Sequence, residues 1–306
     1  MTRELAEIEY VMTDDGRRLA VDVTGAPDGY PVFLLHGTPG SRNGPKPRGI
    51  VLYRLGLQLI CYDRPGYGGS DRHKGRTVRN AAGDVAAIAD KMGINRFAVV
   101  GRSGGGPHAL ACAAVMPERV CSTAVLVSLA PADAVGLDWY RGMNQQNVQD
   151  YGTADADVPT LLTHLASCAK QVQRDPSRLI SLIESELSEP DKRVVGDVAL
   201  RRLLFKTYAE ALRQGAAGWI DDVLAFRKPW GIALSNITSR VRLWHGEDDR
   251  FSPVEHTRWL SHHIPQVQVE IQAGIGHFGA VEVLPEILSW IADGFAKPGE
   301  APDHRS

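Results

Sequence analysis

The sequence predicts an α/β fold, in which a mostly parallel central sheet is flanked by helices and interrupted by a helical insertion. Short runs that are apolar at every position alternate with segments whose apolar residues recur at helical spacing. Such runs indicate strands buried on both faces, with a helix crossing between one strand and the next. Glycine-rich or charged loops follow several of these strands directly, and about one hundred residues near the middle contain no strand-like run.

The N-terminal half supplies most of the predicted sheet. A hairpin is expected first, because two strand-like stretches flank the turn sequence Asp14-Asp15-Gly16. A helix is expected over 78–92, where apolar residues follow the 3.6-residue period, Thr77 can cap the start and Gly93 can end it. The predicted strands of this half are 7–13, 18–25, 31–35, 57–62, 97–100 and 124–129.

The alternation stops at about residue 132 and resumes near residue 235. Between these points apolar residues have helical spacing in four stretches, 161–168, 179–187, 203–212 and 219–224. The sheet then continues with strands at 241–244 and 267–271 and helices after Pro253 and around 281–295. The predicted organisation is a core of residues 1–131 and 235–296, a helical lid of residues 132–234, and a flexible tail of residues 297–306.

The stretch GRSGG at 101–105 is the first candidate for chemistry. It stands between the predicted strand 97–100 and a helix of small residues. A serine in such a tight turn projects from the end of the sheet, and the flanking glycines remove Cβ atoms that would clash. The N-terminus of the following helix favours a developing negative charge. Ser103 is therefore a candidate nucleophile.

A serine hydroxyl needs a base within hydrogen-bonding distance, and that base needs an orienting acid. The loop after strand 241–244 carries Asp248 and Asp249, and the loop after strand 267–271 carries His277. Because parallel strands end at one edge of a sheet, these side chains are expected to meet Ser103 there.

Four stretches in order carry a resemblance to a known family: HGTPG at 36–40, DRPGYGGSD at 63–71, GRSGG at 101–105, and the pair GEDDRFSP and GHF at 246–253 and 276–278. Over roughly residues 20–295 the sequence resembles the serine hydrolases of the α/β-hydrolase superfamily that have a helical lid. The insertion matches only in position and helical character.

The resemblance implies a catalytic role for three residues. Ser103 corresponds to the nucleophile and His277 to the general base. Asp249 corresponds to the acid, because the family pattern G-x-x-D is followed four positions later by proline, and Asp248 is off by one. Some members of the superfamily place the acid after the strand that corresponds to 124–129, where this sequence has Asp133. The backbone N–H groups of Thr38 and Gly104 correspond to the oxyanion hole.

Other residues of the same motifs have structural interpretations. His36 is expected to tie loops together, His108 to pack, and Asp63 and Arg64 to pin a loop by an ion pair. In the insertion, aromatic and long apolar side chains are candidates either for the lid core or for a substrate pocket. The candidate pocket residues are Trp139, Tyr140, Met143 and Trp219.

The expected function is hydrolysis of a carboxylic ester of a small-to-medium, mainly apolar substrate. The same machinery could act on a C–C bond, lactone, thioester or amide, and HGTPG differs at one position from the HGGPG of prolyl aminopeptidases. Serine at position 103 disfavours haloalkane dehalogenase and epoxide hydrolase activity, because the members of the superfamily with those activities have aspartate at this position. The alternative from a different functional class is a receptor that binds a ligand and hydrolyses it only weakly.

The composition agrees with a globular protein of this kind. The chain has 306 residues, 43% hydrophobic and 23% charged, and a net charge of −2, which gives no reason to expect nucleic acid or membrane partners. No histidine or cysteine spacing suggests a metal site, and no cofactor is expected. Widely spaced cysteines and the lack of a signal peptide predict a cytoplasmic location, and the oligomeric state is left open.

Overall fold

A computed structural model describes residues 9–295 and confirms the predicted α/β class. The strands form one eight-stranded sheet in the order β1-β2-β4-β3-β5-β6-β7-β8. The second strand runs antiparallel to both of its neighbours, and all other neighbouring pairs are parallel. The strands are β1 Glu9–Met12, β2 Arg18–Gly25, β3 Tyr30–Leu35, β4 Leu57–Tyr62, β5 Phe97–Arg102, β6 Val120–Leu126, β7 Arg240–Gly246 and β8 Val267–Gln272.

Twelve α-helices lie in the described part of the chain. Six of them belong to the sheet-containing part: α1 Gly49–Arg54, α2 Ala81–Lys91, α3 Gly105–Val115, α10 Val254–His263, the short α11 Gly279–Glu282 and α12 Leu284–Asp293. The other six lie between β6 and β7: α4 Gln145–Ala156, α5 Val158–Arg174, α6 Arg178–Ile183, α7 Glu189–Gly196, α8 Val198–Ala211 and α9 Ala217–Phe226. No helix within residues 9–295 combines the length and hydrophobicity needed to cross a membrane.

The central strands β3 to β6 are buried on both faces, as the continuous apolar runs predicted, while the edge strands β1 and β8 are partly exposed. Along β3, Phe33 and Leu35 pack in the hydrophobic cluster of one face, while Val32 and Leu34 pack in that of the other. Val99 and Val100 of β5 alternate in the same way. Because these central strands are covered on both sides, their functional side chains can be presented only beyond the strand ends.

Strand β6, which follows α3, lies earlier in the chain than predicted. It begins at Val120 and includes polar Ser122 and Thr123, which are buried in the sheet. The Thr123 hydroxyl lies 3.0 Å from that of Ser239. The strand ends at Leu126 because Val127 has φ 47°, a left-handed conformation that interrupts a strand. The apolar pattern alone started at residue 124 and missed this displacement.

The insertion is helical, as predicted, but it contains six helices where four were expected. The two that the periodicity missed are α4, whose sequence QQNVQDYGTADA has no apolar stripe, and the eight-residue α7. Both have N-caps, in which Asn144 accepts from the N–H of Asn147 and Ser188 from that of Asp191. The division into core and lid stays a prediction, and the tail 297–306 lies outside the described residues.

Candidate active site

Ser103 lies at the tight turn between β5 and α3. Its φ of 54° is in the left-handed region that residues other than glycine rarely adopt. A Cβ atom at Gly101 would lie 2.3 Å from the carbonyl oxygen of Gly105, and one at Gly105 would lie 2.2 Å from that of Leu35. The G-x-S-x-G pattern is therefore required by close backbone packing, which holds the serine in its strained conformation.

The structure brings Ser103, His277 and Asp249 together in a continuous hydrogen-bonded chain. His277 Nε2 lies 3.0 Å from Ser103 Oγ, and His277 Nδ1 lies 2.7 Å from Asp249 Oδ2. The three residues follow the carboxyl ends of β5, β7 and β8. This geometry can transfer a proton from a serine hydroxyl to an imidazole that a carboxylate orients.

Asp249 is held as a carboxylate by groups that surround it. The Oδ1 atom accepts from the backbone N–H groups of Phe251 and Ser252, at 2.7 and 3.1 Å. Oδ2 lies 2.7 Å from His277 Nδ1 and 3.2 Å from His245 Nε2. Burial opposes ionisation, but the two histidines outweigh it, so the pKa of Asp249 lies well below its usual range.

His245, which the sequence reasoning did not single out, supports the acid from behind. It is buried, and its Nε2 lies 2.6 Å from the carbonyl oxygen of Ser252, while its Nδ1 lies 2.6 Å from Thr257 Oγ1. A carbonyl oxygen can only accept, so Nε2 carries the proton that also faces Asp249. Its position at the end of β7 was the available signal.

The environment of His277 favours its charged form. Burial acts to lower the pKa of His277, but the carboxylates of Asp249 and, secondarily, Asp191 outweigh it, and the pKa is raised. Arg102 opposes this rise. An imidazolium formed during a reaction is therefore stabilised where it forms.

The two rival acids do not take part in this chain. Asp248 and Asp133 are both exposed, and neither forms a hydrogen bond to His277. The Asp248 side chain faces a separate surface groove beside Glu247 and Glu255. The register that the family pattern indicated, with the acid at 249, is the one that the geometry supports.

Two backbone N–H groups are available beside Ser103. Those of Thr38 and Gly104 form no hydrogen bond to another group within residues 9–295. A Cβ atom at Gly104 would lie 2.2 Å from Thr38 Oγ1, so the two loops are in close contact. Free N–H groups from two loops next to a nucleophile can stabilise an oxyanion.

The loop that carries Thr38 is fixed by Asp222 of α9, a residue that the sequence reasoning missed. Asp222 is fully buried, and its Oδ2 accepts from Thr38 Oγ1 at 2.5 Å and from the Tyr67 hydroxyl at 2.8 Å. Burial opposes its ionisation, but Arg64 and Arg76 outweigh it and hold the pKa of Asp222 well below its usual range. The insertion is thus anchored to the loops of the sheet by a buried ion network.

The structure revises the roles expected for neighbouring residues. The predicted ion pair between Asp63 and Arg64 is wrong, because Asp63 pairs with Arg42 and Arg64 pairs with Asp222. Both partners, Arg42 and Asp222, lie elsewhere in the chain, which the local sequence could not show. His36 joins two loops as expected, since its Nε2 accepts from the backbone N–H of Arg64 at 3.0 Å.

A cavity of about 180 Å³ lies over Ser103 and His277. The insertion supplies much of its wall, including Trp219 and Val223 of α9 and Leu204 of α8. Typical small-molecule sites are clefts of about 300–1,000 Å³. This cavity is smaller than that range, and Trp219, one of the candidate pocket residues, lies in its wall.

The other three candidate pocket residues lie outside the lining of this cavity. Trp139 is buried among α4, α9 and α10, where its Nε1–H donates to the Ala130 carbonyl at 3.0 Å. The Tyr140 hydroxyl donates to Asp155, and Met143 is buried just before α4 begins. The structure thus places these three candidate pocket residues behind the wall of the cavity over Ser103, where the chain leaves the sheet.

Comparison with known families gives one match that covers most of the chain. The sequence model of a family described as "alpha/beta hydrolase fold" matches residues 30–282. That range includes the three hydrogen-bonded residues and the whole insertion.

Two individual relatives match over most of the chain at low sequence identity. The chain is 24% identical over 257 residues to a bifunctional esterase/perhydrolase of Acinetobacter calcoaceticus, covering 80% of this chain and 84% of that protein. It is 27% identical over 262 residues to a 2-hydroxymuconate semialdehyde hydrolase of Pseudomonas putida, covering 83% of each. A solved esterase structure from Thermogutta terrifontis, 21% identical, has a similar fold with a TM-score of 0.67 over 94% of this chain and 97% of that one.

Proposed function

Because this chain belongs to the α/β-hydrolase fold family, we propose that it is a serine hydrolase that cleaves a carboxylic ester. The observation that carries the proposal is the chain of contacts from Ser103 Oγ through His277 to Asp249, at 3.0 and 2.7 Å. Two relatives whose names include esterase or hydrolase support the reaction class.

In the first half of the reaction Ser103 Oγ attacks the ester carbonyl carbon and His277 Nε2 accepts the hydroxyl proton. Asp249 accepts the hydrogen bond of His277 Nδ1–H and stabilises the imidazolium. The negative oxygen of the tetrahedral intermediate is stabilised by the N–H groups of Thr38 and Gly104. When the intermediate collapses, the His277 proton passes to the leaving alcohol.

The second half reverses these roles with water. Water gives a proton to neutral His277 Nε2 and attacks the acyl carbon on Ser103. Collapse of the second intermediate releases the carboxylic acid and returns the proton to the serine oxygen. Helices α6, α8 and α9 cover the reacting groups, so the insertion acts as a lid that restricts the access of bulk water to them.

The proposal is tested by covalent labelling and turnover. A fluorophosphonate should label the wild-type protein at Ser103, and short-chain p-nitrophenyl esters should be hydrolysed. Ser103→Ala should lose labelling and lower turnover by about 10⁴-fold or more. Ser261→Ala, which removes a hydroxyl on α10 outside the cavity, is the matched control and should retain both. Labelling at another serine, or turnover retained in Ser103→Ala, would contradict the proposal.

A further inference from the structure

Arg102, the residue before Ser103, is half-buried and pairs with no carboxylate among residues 9–295, whereas buried Arg64 and Arg76 do. It lines the same cavity as the serine. Its side chain forms one hydrogen bond within residues 9–295, from Nη1 to the Pro45 carbonyl oxygen, and that bond is long at 3.3 Å. Arg64 and Arg76, by contrast, both form ion pairs with buried Asp222.

The missing counter-ion is unfavourable for the protein alone. Burial lowers the pKa of Arg102, but a guanidinium keeps its proton in proteins, so the site holds a positive charge. Asp150 also lines the cavity, but its Oδ1 is taken by Gln146 and His164, at 3.0 and 3.4 Å. A charge held without a partner in a cavity costs free energy unless a ligand supplies the opposite charge.

Tyr208 of α8 brings a second donor to the lining of the same cavity. It is 8% exposed, lines the cavity, and its hydroxyl forms no hydrogen bond to any group of the described chain. Burial raises the pKa of Tyr208 to about 12, and the charge of Arg102 opposes that rise. The phenol is therefore a protonated donor near neutral pH, in the cavity that Arg102 also lines.

We propose that Arg102 and Tyr208 form a subsite for a carboxylate group of the substrate. The substrate class is then an ester that carries one free carboxylate a few bonds from the scissile carbonyl. Guanidinium groups bind carboxylates through paired, charge-assisted hydrogen bonds, and a phenol hydroxyl adds a third donor. This inference rests on the proposed ester hydrolysis and adds the substrate's charge to it.

Two substrate series locate the carboxylate. Monomethyl glutarate and methyl glutaramate differ only by carboxylate against amide on the acyl side. O-acetylglycolate and its amide differ in the same way on the alcohol side. The wild-type protein should show a kcat/KM at least about tenfold higher for the charged member of one series. Equal rates, or preference for the amide in both series, would overturn the subsite.

Variants assign the preference to residues. Arg102→Gln should reduce the charged-to-neutral ratio of kcat/KM to about one, and Arg102→Lys should leave an intermediate ratio because it keeps charge but not the paired geometry. Tyr208→Phe should lower the ratio by a few-fold. Arg202→Gln removes the same charge from an exposed position on α8 and should leave the ratio unchanged. An unchanged ratio in Arg102→Gln would overturn the assignment.

Failure of the underlying reaction gives a different result. If no ester is hydrolysed and fluorophosphonate does not label Ser103, the proposed function is wrong. Isothermal titration of glutarate into the wild-type protein and Arg102→Gln then tests the subsite alone. Binding to the wild type that is lost in the variant supports the subsite, and equal or absent binding in both overturns it.

Discussion

The carboxylate of Asp191, on helix α7 of the insertion, accepts a hydrogen bond from the backbone N–H of Phe278 at 2.8 Å. Phe278 directly follows His277. Asp191 is fully buried, and its other oxygen accepts from the Ser188 hydroxyl at 2.8 Å. A Cβ atom at Gly276 would lie 2.4 Å from the Asp191 carboxyl, so the loop of the base packs directly on this acid.

Removing the charge of Asp191 should change the pH dependence of the reaction. The base must be neutral in the free enzyme, so kcat/KM rises as the pH increases through the pKa of His277. Asp191 helps to raise that pKa. In Asp191→Asn, which can keep the hydrogen bonds, the rise in kcat/KM should therefore move to lower pH.

The control for this measurement lies on the same helix. Glu189→Gln removes an exposed carboxylate that pairs with Lys192, and its pH profile should match the wild type. A profile that moves to higher pH in Asp191→Asn, or moves equally in both variants, would contradict the role given to Asp191.

Asp249→Asn should lower kcat by about 10⁴-fold while the fold is retained, because His277 loses the acceptor that sets its tautomer. Asp248→Asn alters an exposed neighbour and should have little effect. Ester turnover of both variants, with circular dichroism to verify folding, gives the comparison. The reverse order of effects would place the acid at 248.

Much of this site could be predicted because its signals are local. The tight turn at Ser103 needs glycine at 101 and 105 for backbone contacts that form within the turn itself and with one neighbouring strand. Strands buried on both faces read as continuous apolar runs, and parallel strands bring their following loops to one edge. The order of strands and loops thus placed the nucleophile, acid and base candidates together, and the family pattern selected Asp249 over Asp248.

The carboxylates that connect the insertion to the sheet could not be predicted in this way. Asp222 and Thr38 are 184 residues apart in the chain, and Asp191 and Phe278 are 87 apart. On an isolated helix an aspartate indicates a solvated face, and only tertiary packing turns it inward beside an arginine or a free N–H. The insertion's aromatic residues were ambiguous for the same reason, since core and pocket use the same side chains.

Asp222→Asn should lower the free energy of unfolding by about 3–5 kcal/mol, because it leaves Arg64 and Arg76 buried without their counter-charge. The adjacent Asp221 offers a matched control, since it pairs with the partly exposed Arg72. Asp221→Asn should cost less. Urea unfolding of both variants measures the difference. Equal losses of stability would mean that the buried network around Asp222 contributes no more than the pair of Asp221 with exposed Arg72.

Trp219→Ala and Trp139→Ala should separate the wall of the cavity from the interior of the insertion. Trp219 lines the cavity, so its truncation enlarges the space over Ser103 and should move the preferred acyl chain to greater length. One methylene in an apolar pocket is worth about 1–3 kcal/mol, so kcat/KM for the longer esters should rise relative to short ones in graded steps.

Trp139 lies outside that wall, where the Arg227 guanidinium is 4.4 Å from its ring and its Nε1–H donates to Ala130. Trp139→Ala should lose about 3–5 kcal/mol of stability and keep the wild-type order of preference among acyl chains. Kinetics over a series of p-nitrophenyl esters, with thermal unfolding of each variant, distinguishes the two effects. A changed chain-length order in Trp139→Ala, with none in Trp219→Ala, would mean that substrate occupies a space behind the wall.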